Sequence, residues 1–216
     1  MFTNFIRLLV IAVMVFYISS CSIKSPGYNQ KKLASADTIN QIAKMSAYEG
    51  MRGLALGVTT DQIDVQLPND KTKVYGVVMD WDFGKGTATF VSFLSGDAKL
   101  YLSSGGGFFG GGEHEKVKQA TIEFINNAGH HLGKTIKTET TPLPDKNGIK
   151  FYFLTNKGKF VATEQMSNIE NNSSEWVELF EEGNKIITEI RNTPIRARFH
   201  NEDSLAKDFD EINKHR

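Results

Sequence analysis

Five apolar segments of this chain fall into two groups, and within each group the intervening turns are too short to carry a crossover. Strands joined so tightly can only pair antiparallel. In the first group, residues 74–81 (VYGVVMDW) and 88–94 (ATFVSFL) are joined by Asp82-Phe83-Gly84-Lys85-Gly86, and Ser95-Gly96-Asp97 turns into residues 98–103 (AKLYLS). Leu100 and Leu102 alternate with Lys99, Tyr101 and Ser103, which predicts a strand with one buried face. In the second group, residues 149–155 (IKFYFLT) and 159–164 (KFVATE) flank Asn156-Lys157-Gly158, residue types suited to a tight turn.

Helical periodicity fills the remainder. Residues 36–56 place Ile39, Ile42, Ala43, Ala47 and Leu54 on one face, with Ser35 or Asp37 as a cap. Residues 113–132 carry the stripe Val117, Ala120, Thr121, Phe124, Ala128 and Leu132. Asn172-Ser173-Ser174-Glu175 resembles a capping box and opens a helix to about Asn192, with Trp176, Phe180, Gly183, Ile187 and Ile190 along one side. Gly183 on that side predicts a close approach of helix to sheet, and Pro194 ends the helix. Residues 58–73 are turn-rich, with room for one short strand or helical turn, and residues 135–147 read as a loop. The order is a helix followed by β-β-β-α-β-β-α. It predicts an α+β domain over residues 36–193, with a single antiparallel sheet of about five strands and the helices packed on it.

Between the third strand and the second helix lies Ser-Ser-Gly-Gly-Gly-Phe-Phe-Gly-Gly-Gly-Glu-His-Glu, residues 103–115. Gly105, Gly106, Gly107, Phe108, Phe109, Gly110, Gly111, Gly112, Glu113 and His114 form a candidate loop for a ligand or partner. Backbone N–H groups at a helix start can cradle an anion. Here no Lys or Ser/Thr follows at phosphate-loop spacing, and Glu113 and Glu115 already place negative charge in the first turn. The bland alternative is a tight strand-to-helix crossing whose two rings are buried or pack on a neighbour. Adjacent residues of an extended loop point to opposite sides. One ring is therefore expected in the core and the other at the surface.

The N-terminus gives an address. Arg7 precedes an uncharged, mainly apolar run over residues 8–18, the shape of a secretory signal, and the run ends Ile18-Ser19-Ser20-Cys21. That motif resembles the lipobox of bacterial lipoproteins. The resemblance implies cleavage before Cys21, acylation of that cysteine and attachment to a membrane on its extracytoplasmic side. Ser22, rather than Asp, after the cysteine implies the outer membrane where the envelope has two. Residues 21–35 (CSIKSPGYNQKKLAS) read as the lipidated cysteine and a polar tether. Residues 194–216 read as a charged tail in which Leu205, Phe209 and Ile212 are spaced for a short amphipathic helix, with disorder as the alternative.

Cys21 is the sole cysteine, so the chain has no disulfide framework, and lipidation would remove its only thiol. Lys and Arg number 25, as do Asp and Glu, which leaves no field to collect nucleic acid. No cofactor is implied.

Three clusters are candidates for chemistry. Asp80 and Asp82 flank Trp81 and share a strand face, as a metal or acid/base pair would. Glu113, His114 and Glu115 could join Asp80 or Asp97 around a metal, although their spacing is not His-Glu-x-x-His. His130-His131 falls where a helix dipole favours cations. Ser103 and Ser104 lack a nucleophile elbow, and Asn171-Asn172-Ser173 matches a glycosylation pattern that a bacterial address makes empty.

Residues 74–115 are also similar to a family of bacterial proteins of uncharacterised activity. The shared features are a Met-Asp-Trp strand, a Gly-Asp-Ala turn, two Gly triplets around an apolar pair and a Glu-His pair, extending to FYFLTNKG in the second hairpin. That resemblance implies no activity. The expectation is therefore a lipid-anchored envelope protein that binds a membrane through Cys21 and an envelope protein through its domain. The alternative is a hydrolase or metal-dependent enzyme using the Gly-rich loop and Glu113-His114-Glu115.

Overall fold

In the computed structural model, which describes residues 47–192, strand β1 (Val74–Asp82) is buried along its length as far as Trp81. A strand apolar on both faces belongs between two layers, and β1 sits at the centre of the sheet. It pairs antiparallel with β2 (Thr87–Phe93) on one side and β6 (Gly148–Thr155) on the other. β3 (Ala98–Leu102) follows from β2 and β7 (Gly158–Gln165) from β6. Two short strands close the edges, β4 (Gly107–Phe108) beside β3 and β5 (Ile136–Thr138) beside β7. The order is β4-β3-β2-β1-β6-β7-β5, a seven-stranded sheet rather than one of about five. Both additions are too short to display a period of two. β5 lies inside the segment that reads as a loop, and β4 lies inside the glycine run.

Helices α2 (Glu115–His131) and α4 (Val177–Asn192) cover one face. Val77, Met79 and Trp81 of β1 point into that layer with Phe90, Leu100, Phe151 and Phe153. Phe124 of α2 meets Phe90 edge-on at 5.9 Å, and Phe180 of α4 meets Trp81 at 6.2 Å. Trp176 stacks on Phe151 at 5.6 Å. Full burial of such a side chain contributes roughly 1.5–3 kcal/mol. Gly183 takes the expected close-approach position, since a Cβ there would lie 3.1 Å from Met79 Cε. The stripe expected on α2 is buried at Val117, Thr121, Phe124 and Ala128, with Ile125 added and Ala120 and Leu132 half-buried. Ser174 Oγ accepts the Trp176 N–H at 3.0 Å, so the predicted cap works from the third residue of its motif. A short helix α3 (Met166–Glu170), unexpected from the sequence, bridges β7 and α4.

The other face is covered by α1 (Ala47–Leu56), over Val78, Val91, Phe93, Tyr101 and Tyr152. Two expectations are corrected here. β3 buries Tyr101 as well as its leucines, because a second layer lies over that face. On α1 the inward residues are Tyr48, Arg52, Ala55 and Leu56, while Ala47 and Leu54 face outward, Leu54 at 73 % exposure. A buried arginine replaces the expected apolar stripe because its partner waits on β1. Between α1 and β1, a 3-10 turn at Thr60–Ile63 supplies the helical turn foreseen for that loop. Asn156 then fastens the loop's end, donating to the carbonyls of Pro68 and Lys71 at 2.8 and 2.9 Å.

The chain divides into units Met1–Asn40 and Gln41–Arg216, and every described residue lies in the second. Cys21, the tether over 21–35, the helical expectation before Ala47 and the tail over 194–216 lie outside the described residues. No helix among the described residues is long and apolar enough to cross a membrane.

Candidate binding surface

The glycine run is shaped by its neighbours. A Cβ at Gly107 would lie 2.2 Å from the Leu100 carbonyl oxygen, so only glycine lets β4 pair against β3. At Gly111 a Cβ would meet the Ala98 carbonyl at 2.9 Å and Val117 Cγ1 at 3.0 Å, where the loop presses between β3 and α2. The loop also uses its own backbone groups. Leu102 N–H donates to the Gly106 carbonyl at 3.1 Å, Glu113 N–H to Gly110 at 3.1 Å and His114 N–H to Gly111 at 3.2 Å. The Glu113 and His114 N–H groups are engaged in this way and are not held out for an anion.

Phe108 and Phe109 go to opposite faces of the sheet, as neighbours in an extended segment should. Phe108 packs on the α2/α4 layer, and Phe109 on the α1 layer, with its ring 5.3 Å from that of Tyr101. Both are half-buried. The division into one core ring and one surface ring is therefore corrected to two partial burials in two different layers. Phe108→Ser and Phe109→Ser, made separately, are each expected to cost about 1 kcal/mol, roughly half the value for full burial. Thermal melts check this, and a large loss in one variant with none in the other would contradict it.

Phe109 forms one wall of a groove of about 240 Å3 between α1 and β3. Met51, Leu54 and Val58 form the helical wall, and Phe93 and Tyr101 the floor. The sequence flags Phe109 and misses the groove. Leu54 and Tyr101 are 47 positions apart and are brought together by the tertiary fold. Outward on α1, Ala47, Met51 and Leu54 continue one stripe at helical spacing. Ala47 and Leu54 are the described members of the stripe that periodicity assigns to the core, and Met51 is not part of it.

Beneath α1 lies a buried polar cluster. Arg52 Nε and Nη2 donate to Asp80 Oδ2 at 3.0 and 2.7 Å, and Thr89 Oγ1 donates to Asp80 Oδ1 at 2.5 Å. Tyr48 Oη joins Thr89 Oγ1 at 2.8 Å, and the guanidinium lies over the Tyr152 ring at 5.6 Å. The side chains are 10 % and 0 % exposed for Arg52 and Asp80. Burial pushes the Asp80 carboxyl above its ordinary value, against the opposing pull of Arg52 and Thr89. Burial also works against the charge on Arg52, but the contacts to Asp80 outweigh it and raise its pKa. Arg52 was not singled out by sequence, although Tyr48, Arg52 and Ala55 share one face at four- and three-residue spacing. An open cleft of about 410 Å3 beside this cluster is lined by Glu49, Arg52, Leu56, Leu143 and Lys159, but the arginine there is already neutralised by Asp80.

The other candidate residues stay apart. Asp80 faces α1, whereas Glu113, His114 and Glu115 lead into α2 on the opposite layer, so the structure does not bring these groups together. Asp82 Oδ1 accepts the N–H groups of Gly84 and Asn147 at 3.0 and 3.1 Å and is not paired with Asp80. Asp97 is held by Lys99 at 2.6 Å. Ser103 Oγ accepts the Thr87 N–H at 2.8 Å, a turn contact rather than a nucleophile's setting. His131 rests against Trp176 at 5.6 Å, and burial lowers its pKa, aided by Lys134. Both His130 and His131 fall in the last turn of α2, as expected, and His131 also packs on the aromatic layer. Among the described residues no three His, Cys, Asp or Glu side chains converge to hold a metal. No family model, curated protein or solved structure matches the chain.

Proposed function

We propose that the chain is a lipid-anchored protein of a bacterial envelope whose domain binds another molecule through the α1–β3 groove rather than catalysing a reaction. The observation that carries the binding reading is Leu54, 73 % exposed at the lip of a groove whose other walls are apolar and aromatic apart from Lys99. Aromatic and aliphatic anchors of this kind concentrate binding energy at interfaces. The groove takes only Phe109 from the glycine-rich loop. Its glycines serve chain crossing, and Glu113 and His114 belong to the helix start. The reading is tested by pull-down of the membrane-anchored form. Leu54→Asp is expected to lose a protein that wild type and Ile136→Asp both retain. Ile136 is a fair control because it is 75 % exposed on β5, at the opposite edge of the sheet. Equal recovery from all three forms would overturn the groove as the binding site.

The anchor rests on Ile18-Ser19-Ser20-Cys21. Two or more acyl chains hold a protein on a membrane where one does so only marginally. The domain then works in an extracytoplasmic space, on the outer membrane where the envelope has two. Cys21→Ala is expected to abolish incorporation of labelled fatty acid and to release the protein from the membrane fraction. Incorporation and fractionation matching the wild type would show that the lipid is not on Cys21.

A further inference from the structure

The cleft beside Arg52, on the β7 flank of α1, has the size and lining of a small-molecule site. Such sites run from about 300 to 1,000 Å3 and are mostly apolar with a few polar groups aimed inward. The cleft, at about 410 Å3, falls in that range, and the α1–β3 groove, at about 240 Å3, does not. Both walls of the cleft are fixed. Arg52 ties α1 to β1 through Asp80. The facing wall carries Thr141 and Leu143, and Tyr152 Oη holds it by donating to the Pro142 carbonyl at 2.5 Å. Just before it, Thr138 Oγ1 donates to the Thr140 carbonyl at 2.8 Å and accepts the Thr140 N–H at 3.2 Å. Lys159 enters from β7, on the sheet face that α1 covers, as Val161 two residues on also does.

The α1 wall is kept open by Gly53. Glycine inside a helix is less favourable than alanine, and no contact within the protein asks for it here, since a Cβ would meet nothing within 4 Å. Leu56 and the exposed Leu143 supply apolar surface.

Charge defines what fits. Arg52 uses Nε and Nη2 on Asp80 Oδ2, so that pair is neutral, but Nη1 is not among the nitrogens that bond Asp80. Lys159 is half-buried and has no hydrogen-bond or ion-pair partner for its ammonium among the described residues, and the Thr141 hydroxyl has none either. Glu49, exposed at the rim, has a partner of its own. One positive charge is therefore left uncompensated. A monoanion balances it, and a dianion would bring one negative charge too many. A carboxylate accepts from several donors at once, and charge-assisted bonds are about twice as strong as neutral ones. The two leucines call for an apolar body behind that carboxylate.

We infer that this cleft binds a small organic monocarboxylate, its carboxylate on Lys159, Thr141 Oγ1 and Arg52 Nη1 and its apolar body against Leu56 and Leu143. The site is separate from the α1–β3 groove and does not depend on it.

Octanoate is the probe, titrated calorimetrically into the full chain carrying Cys21→Ser, so that no acyl group of the protein's own competes. Saturable binding of one octanoate per chain is expected. Octanamide, with the same body and no charge, is expected to bind at least about tenfold more weakly. Lys159→Met is expected to bring octanoate down to the level of octanamide. Lys116→Met removes a positive charge from α2, on the opposite layer, and is expected to change neither affinity. Gly53→Leu is expected to abolish octanoate binding with no loss of thermal stability, because leucine favours the helix and fills the cleft. Four results would each overturn the proposal. They are no saturable binding, equal affinity for octanoate and octanamide, no effect of Lys159→Met, and full octanoate binding by a folded Gly53→Leu, which would put the ligand elsewhere. If Gly53→Leu is itself unstable, the contrast between Lys159→Met and Lys116→Met still decides.

Discussion

Asp80→Ala is expected to lower the stability of the domain by about 3–5 kcal/mol, the cost of leaving a buried charge without its partner. The orphan is Arg52, held under α1 with its side chain 10 % exposed. Thr89 Oγ1 also loses its acceptor, although Tyr48 Oη remains within reach at 2.8 Å. Removing both charges together should behave differently. Arg52→Met/Asp80→Leu is expected to recover most of the loss, since a buried pair replaced by apolar groups of similar volume is often neutral or stabilising. Urea unfolding of the two variants beside wild type checks this. A double variant as unstable as Asp80→Ala would mean that the cluster is worth more than its charge pairing.

Alkaline pH is expected to unfold the domain cooperatively between about pH 10 and 12. Tyr48, Tyr101 and Tyr152 are each pushed from 10.0 up to about 12, with burial the largest cause. A phenol whose folded pKa lies above its unfolded one contributes stability that is complete below the unfolded value and lost as pH rises through the folded one. In that window the unfolded chain ionises and the folded chain does not. A two-unit shift is worth at most roughly 2.7 kcal/mol, and solvent screening leaves less of it at Tyr152, whose hydroxyl is only part-buried, but three such losses together still take up much of a net stability of roughly 5–15 kcal/mol. Tyrosinate absorbance and circular dichroism should therefore change together. Absorbance that titrates smoothly near pH 10 while the dichroism stays folded would contradict the burial of these rings.

The five principal strands could be read from the sequence because each is long enough to show its apolar pattern and each hairpin has a recognisable turn. β4 and β5, with Gly107–Phe108 and Ile136–Thr138 as their whole extent, could not. Their positions are set by the edge they pair with, which is a tertiary fact. Of the stripe that periodicity assigns to the core, the two described members, Ala47 and Leu54, face outward on α1. A hydropathy rule places Leu54 inside and Arg52 outside, and it cannot know that Asp80 will be buried on the central strand with need of a cation. Asp80 itself stood out beside Trp81, but as one half of a pair with Asp82. Its real partner was hidden by distance along the chain and by the charge that made it look like a surface residue. Phe109 was visible as an unusual residue between glycines, whereas the groove it walls needed Met51, Leu54 and Tyr101 from other elements.

The Arg52–Asp80 contact also decides how the domain bears load. Under the proposed anchor, a pull from the N-terminal side would reach α1 first among the described elements. Tension on α1 is delivered through Arg52 to Asp80, and Asp80 lies in β1, which is flanked by β2 and β6. The force enters at the mid-line of the sheet instead of at an edge, and it meets the ladders of two neighbouring strands before any strand can peel away. A domain on a tether would gain from having its mechanical clamp there.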